Sequence, residues 1–387
     1  MLQVLNILHI FNDGFQASIL LLLPFIAKEF HANLTLVGLL GTVMNSLQII
    51  LALPAGTLST RFGGLRVLLF GGLMSALGFI GIGAGSTFYW LVPLFMIAGL
   101  GFGLYHPIAF ALVAKLSKKE SRGNVMGAFT AVGDIGRIGL SVLITFIIIK
   151  IGWRNTAMLY GIIGMLVMFF FWKRLIRMPK VHSTSEKRSL THMRWTTIVT
   201  ILRNKQFVLA NASGMFDSFA SSSLFIFLPF LFLAKGIDLS LLGLVTSTFF
   251  VGNIVGKYVL GSLVDWFGNV KIFAITQLCM AMSIVLLTYA DSYIFLIFFA
   301  VVLGALTKGT VPVLQTMVAE SVEDQPYFDH AYGVAALLMG SAATVAPLIL
   351  GYISDQYGIY FAFYISAIFA LLAIIPSLQY SKNIKLK

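Results

Sequence analysis

Apolar stretches of about 20 residues, separated by short polar loops, recur along the whole of this chain. At ~1.5 Å per helical residue each spans a hydrocarbon core of ~30 Å, where a backbone without water must satisfy itself as a helix. Of the 387 residues 59% are hydrophobic and only 10% charged, too little polar surface to face water. The pattern predicts an all-α membrane protein with twelve transmembrane helices, at roughly 1–27, 36–59, 67–85, 90–115, 123–149, 155–172, 206–234, 240–262, 271–290, 293–318, 331–353 and 360–380. The first lacks a basic leader and carries Asp13, so it reads as a retained span and not a cleaved signal.

A net charge of +12 invites a nucleic-acid partner, but the lysines and arginines gather in loops on one side of the spans. Lys28, Lys150, Arg154 and Lys235 are left on the other side, which places both termini in the cytoplasm. Nine basic residues stand against Glu186 alone between Lys173 and Lys205, a segment suited to anionic headgroups. Membrane lipids, and no nucleic acid, are therefore the expected partners besides a small-molecule substrate. The lone Cys279 permits no internal disulfide.

The halves on either side of that segment repeat at an offset of about 205 residues. Gly56 to Gly63, with Thr60 and Arg61, matches Gly261 to Gly268, with Asp265 and Trp266. Gly99, Pro107 and Ala114 fall on Gly304, Pro312 and Ala319; Pro24-Phe25 falls on Pro229-Phe230. The expected organisation is an N-terminal six-helix bundle (1–172), a basic cytoplasmic linker (173–205), a C-terminal six-helix bundle (206–380) and a cytoplasmic tail (381–387).

These marks resemble the major facilitator superfamily over essentially the whole chain. The resemblance implies two pseudo-symmetric six-helix bundles that rock about a cavity lined by spans 1, 4, 7 and 10. It also implies gating loops at Arg61 and Asp265, a functional monomer and a bacterial-type inner (plasma) membrane. Thr60 replaces the acid that usually precedes Arg61, while Asp265 keeps it in the second half.

Within the superfamily, His9-x-x-Asn12-Asp13-x-x-Gln16, Tyr105-His106-Pro107, Arg122-Gly123 and Phe129-x-x-Gly133-Asp134-x-Gly136 are similar to the fosmidomycin-resistance group of exporters. That resemblance implies proton-coupled antiport of a small anionic or drug-like compound, with the proton gradient as energy source and no cofactor. Ile108 stands where the group often has an acid, and Gly139-Leu140-Ser141 where drug exporters carry Gly-Pro. Proton-symport uptake of an organic anion, siderophore or other nutrient is the alternative, with metal-ion transport or a non-transporting receptor behind it.

An ionised Asp at the bilayer centre costs roughly 2.5–3.5 kcal/mol on insertion scales, so mid-span charges need partners or a purpose. Asp13, Asp134, Asp217, Arg137, Lys308, His9 and His106 all fall near the middle of their spans. The expectation is three acid–base pairs in three places: Asp13 with His106, Asp134 with Arg137 at i,i+3, and Asp217 with Lys308. Asp13, Asp217, His106 and Asp134 are the candidate proton-coupling residues, Asp13 first because its proposed partner titrates near neutrality. His9, Asn12, Gln16, Tyr105, Arg137 and Lys308 are candidate substrate contacts, Arg as a bidentate fork for an anion and Lys as a point charge. The glycine runs 99–103 and 133–139 lie within spans with no Lys-Ser/Thr after them, which suits close helix packing rather than a nucleotide loop. With no visible nucleophile or metal cage, neither catalysis nor a resident metal is expected.

Overall fold

The computed structural model describes residues 1–118, 122–176, 195–322 and 328–384. They form two compact units, Met1–Ser189 and Leu190–Lys387. In the first, α1 (Leu2–Leu21) and α2 (Leu23–Glu29) form one span interrupted at Leu22, just before Pro24. α3 (Leu34–Phe62), α4 (Gly64–Ala84), α5 (Phe88–Leu116) and α6 (Arg122–Ile176) follow. The second unit holds α7 (Trp195–Arg203), α8 (Lys205–Ser222), α9 (Leu224–Ala234), α10 (Leu242–Phe267), α11 (Asn269–Tyr289), α12 (Tyr293–Val322), α13 (Phe328–Tyr357) and α14 (Ile359–Ile384).

Among the described residues eleven helical stretches are long and apolar enough to cross a membrane. One of them, Ala128–Arg174, has 47 residues, about twice what a ~30 Å core requires. It breaks at Gly152, whose φ of 76° and ψ of 161° only glycine adopts readily. Twelve crossings result, six in each unit.

The packing repeats between the units. α3 packs on α5 and α4 on both α5 and α6, as α10 packs on α12 and α11 on both α12 and α14. α1 lies on α6 as α8 lies on α13 and α14. Gly99 and Gly304 make the equivalent close approach: a Cβ at either would strike a backbone carbonyl, that of Met44 or of Phe249. The positive-φ residues recur as well, His31 with Gly236, Gly63 with Gly268, and Gly152 with Gly358. Each tight turn between helices is thus built twice at the sequence offset, with His31, at φ 49°, in a conformation that costs an L-residue.

Two apolar cores hold the units. Leu5, Leu8, Leu68, Leu104, Ile108 and Phe129 are buried in the first, and Phe207, Phe273, Val313, Met317 and Tyr380 in the second. Outward faces carry Ile135, Leu166, Ile294 and Trp266, all exposed and suited to lipid, as is the thiol of Cys279 on α11. At one end of the first unit Arg154 bonds Glu29 at 2.8 Å and the Gly83 carbonyl at 3.1 Å, while Trp153 donates to Glu29 at 2.5 Å.

Two expected boundaries change. The linker read over 173–205 is shorter, because α6 runs to Ile176 and 195–203 are helical. Ile201 is fully buried in the second unit's core, so the end of the basic segment docks there through an apolar face. The middle of the linker, 177–194, lies outside the described residues. α14 extends to Ile384 into the expected tail, and 385–387 lie outside the described residues.

Candidate functional site

The first unit gathers its polar side chains where α1, α5 and α6 meet. Asp13 is 1% exposed and is met from three helices. Arg137 Nη2 lies 2.7 Å from Asp13 Oδ2, His106 Nε2 3.2 Å from Oδ1, and His9 Nε2, one turn back on α1, 3.3 Å from Oδ2. Asn12 Nδ2 donates to Oδ1 at 2.9 Å. Arg137 Nη1 bonds Asp134 Oδ1 at 2.6 Å, so one guanidinium is shared by two buried carboxylates and offsets the charge of one. The two acid–base pairs expected separately in this half are therefore one cluster, because the i,i+3 spacing on α6 leaves the second Arg137 nitrogen free to reach α1.

Small residues make that approach fit. A Cβ on Gly133 would lie 2.6 Å from both Asp13 Oδ2 and His9 Nε2, and one on Gly136 would strike the Ile10 carbonyl. The ring of His9 lies between those of Tyr105, 5.4 Å away between centroids, and Phe129, 4.2 Å away. His9 Nδ1 is 2.8 Å from the Phe129 carbonyl, which only accepts, so Nδ1 carries the hydrogen there. Tyr105 donates to the Leu5 carbonyl at 2.8 Å. His9 and Tyr105 thus lie inside the helix packing, where they support Asp13. Asn12, Gln16, His106 and Arg137 are only partly buried.

The donor atoms of His9, Asp13 and His106 lie within 4.8 Å of one another, a set that would suit a divalent cation. The Arg137 guanidinium already rests on the same Asp13 oxygen, so a metal would have to displace a fixed positive charge.

A second polar thread runs from Gln16, whose Nε2 donates to Gln48 Oε1 at 3.2 Å, to Gln48 Nε2, 3.4 Å from Asn45 Oδ1. Both α3 residues escape a sequence reading that searches the spans for charges alone.

In the second unit Asp217 is 4% exposed. Gln277 of α11 donates to its Oδ1, and Thr310 of α12 to its Oδ2 at 3.3 Å. Lys308 of α12, two residues before Thr310, is exposed. Gln277 escapes the same search, although a lone amide in an otherwise apolar span carries the same signal as a charge: a polar group that demands a partner. Arg61 is exposed at the end of α3, 5.3 Å from the Phe62 ring. Asp265 is in α10, and its side chain lies outside the described residues.

Comparison with known proteins adds a family and several relatives. The model of the Major Facilitator Superfamily matches residues 5–233 and again 211–381. The chain is 26% identical, over 80% of its length and 78% of the relative's, to a putative metabolite transport protein of Haemophilus influenzae. It is 23% identical to the cis,cis-muconate transport protein of Acinetobacter baylyi, covering 91% of this chain and 87% of that one. Among solved structures, a nucleoside transporter superposes with a TM-score of 0.82 at 11% identity, covering 98% of this chain and 99% of that one.

Proposed function

Because the chain belongs to the Major Facilitator Superfamily, we propose that it is a secondary transporter that moves a small organic anion by alternating access, driven by the proton gradient. The observation that carries this reading is the single guanidinium of Arg137 shared between Asp13 and Asp134 beside His106. A substrate carboxylate or phosphonate entering at Arg137 replaces Asp13 on one nitrogen while Asp134 keeps the other, and the displaced Asp13, left between His9 and His106, takes up a proton or shares theirs. Asn12 and Gln16, partly buried on the same helix, supply neutral hydrogen bonds. The relatives named for cis,cis-muconate and for galactarate/D-glucarate align over most of the chain, which supports an organic acid.

The distribution of Lys and Arg supports cytoplasmic termini, and the bacterial transporters among the relatives support a bacterial inner membrane. The second reading is export of a drug-like phosphonate. The likeness of His9-Asn12-Asp13-Gln16 to the fosmidomycin-resistance group favours it, as does a match over 30% of the chain to multidrug resistance protein 3 of Bacillus subtilis.

Proteoliposomes with an imposed pH gradient and an internal pH dye test both. Labelled cis,cis-muconate, glucarate and fosmidomycin are offered in turn, with Arg137→Gln and protein-free vesicles as controls. Gradient-driven movement of any one that Arg137→Gln abolishes supports the reading; movement of none overturns it.

A further inference from the structure

Asp13 and Asp134 share the one guanidinium of Arg137, so that buried group carries a surplus of negative charge. It also holds an unsettled contact. The Phe129 carbonyl fixes the ring hydrogen of His9 on Nδ1, which leaves Nε2 of the neutral ring a bare acceptor, 3.3 Å from Asp13 Oδ2, another acceptor. His9 Nε2 is buried with no hydrogen-bond partner. Acceptor set against acceptor beside surplus negative charge calls for a cation.

A proton would serve His9 alone. A second imidazole nitrogen, His106 Nε2 on α5, lies 3.2 Å from the other oxygen of the same carboxylate, and the three donor atoms fall within 4.8 Å of one another. Ligand atoms held ~2.0–2.2 Å from a four-coordinate ion stand roughly 3.3–3.5 Å apart, close to both histidine-to-carboxylate distances. The surroundings are built as well. His9 gives its Nδ1 hydrogen to a backbone carbonyl and is clasped between Tyr105 and Phe129, the arrangement that orients a metal-ligating imidazole. Asn12 Nδ2 holds Asp13 Oδ1 at 2.9 Å. His106, with 31% of its side chain exposed, gives an ion its way in. Two imidazoles and a carboxylate suit a first-row transition-metal dication such as Zn²⁺ or Fe²⁺, whereas Mg²⁺ and Ca²⁺ want oxygen ligands.

Arg137 yields to such an ion at little cost. Its Nη1 stays on Asp134, at 2.6 Å, when Nη2 leaves Asp13, and that pair is neutral by itself. Asp13 between two neutral imidazoles then presents the negative charge that a dication meets, in place of the proton the displaced acid would otherwise need. The freed Nη2 is left for an incoming anion.

We propose that His9, Asp13 and His106 bind a first-row transition-metal dication, and that the ion, by taking Asp13, releases one arm of Arg137 to the substrate's carboxylate, so that metal and organic acid bind together. Only coordination bonds are made or broken. The coupling rests on the reading of Arg137 as the anion's partner; the metal site does not.

The first arm needs no substrate. The full chain, purified without an affinity tag, is titrated in detergent with Co²⁺, whose visible absorption reports nitrogen and oxygen ligands around it. Saturable binding of one ion per chain is expected, displaced by Zn²⁺ and not by Mg²⁺. Asp13→Asn and His106→Ala, each checked for helical content by circular dichroism, are expected to weaken it by about tenfold or more. The chain with His31, His182, His192 and His330 all changed to Gln keeps it. No saturable binding to the wild type, binding kept at full strength in either site variant, or binding lost from a folded four-histidine variant overturns the site. In the second arm cis,cis-muconate or glucarate is expected to tighten Co²⁺ by about fivefold or more in the wild type and not in Arg137→Gln. Affinity indifferent to both acids overturns the coupling. Should no anion move in proteoliposomes, the transport reading fails while the Co²⁺ titration still decides the site.

Discussion

Arg137 ties Asp13 to Asp134 with its two terminal nitrogens, at 2.7 and 2.6 Å, and so joins α1 to α6 by charge. Removing it leaves two buried carboxylates uncompensated. Arg137→Ala is expected to cost about 3–5 kcal/mol, as loss of one partner of a buried ion pair does. Thermal unfolding in detergent checks this, and adding Asp13→Asn to Arg137→Ala restores part of the loss. A double variant no more stable than the single one contradicts the shared-guanidinium geometry.

Gly133 has room for a hydrogen and nothing larger. Gly133→Ala places a methyl against Asp13 and His9, which are held by Arg137 and by the Phe129 carbonyl and have little freedom to retreat. The expected cost is about 1–3 kcal/mol, with transport falling more than expression. Transport per folded molecule equal to the wild type would show that the cluster tolerates displacement.

The tight turns give a paired prediction. Gly152, at φ 76°, and Gly268, at φ 82°, sit where a side chain strains the backbone whatever the space around it. Each change to Ala is expected to lower stability by about 1–3 kcal/mol. His31→Gly, which gives the first half the residue of its counterpart Gly236, changes stability by less than about 1 kcal/mol, since relief of strain is offset by a looser unfolded chain. Denaturation of the three variants side by side decides.

Gln48 holds Gln16 in place from α3. Gln48→Leu is expected to raise KM for the transported anion with kcat little changed, because an orienting contact is lost while the charges stay. Initial rates over a substrate series separate this from a structural defect, which lowers the amount of active protein and leaves KM alone.

Apolar spacing and the repeat carry most of the architecture, because membrane helices answer to length and hydropathy before anything else. The repeat of Gly63 and Gly268 marks turns that the backbone shows at positive φ. The site is legible in its members but not in its connections. Asp13, His106, Asp134 and Arg137 stand out singly, yet nothing in their spacing says that α6 brings Arg137 to α1. The i,i+3 rule sees one helix at a time and stops at Asp134. Gln277 and Gln48 do not stand out, for want of charge, although a buried amide poses the same demand in a medium without water. Ile198 and Ile201, which seat α7 on its unit, are hidden by the basic residues around them.

Cys279, the only thiol in the chain, lies exposed on α11. A sulfhydryl-directed fluorophore or spin label therefore attaches at one known position, with no other cysteine to remove first. A second thiol engineered into Met1–Ser189 turns that position into one end of a molecular ruler, which tests in a bilayer whether the distance between the units answers to an added solute or to pH.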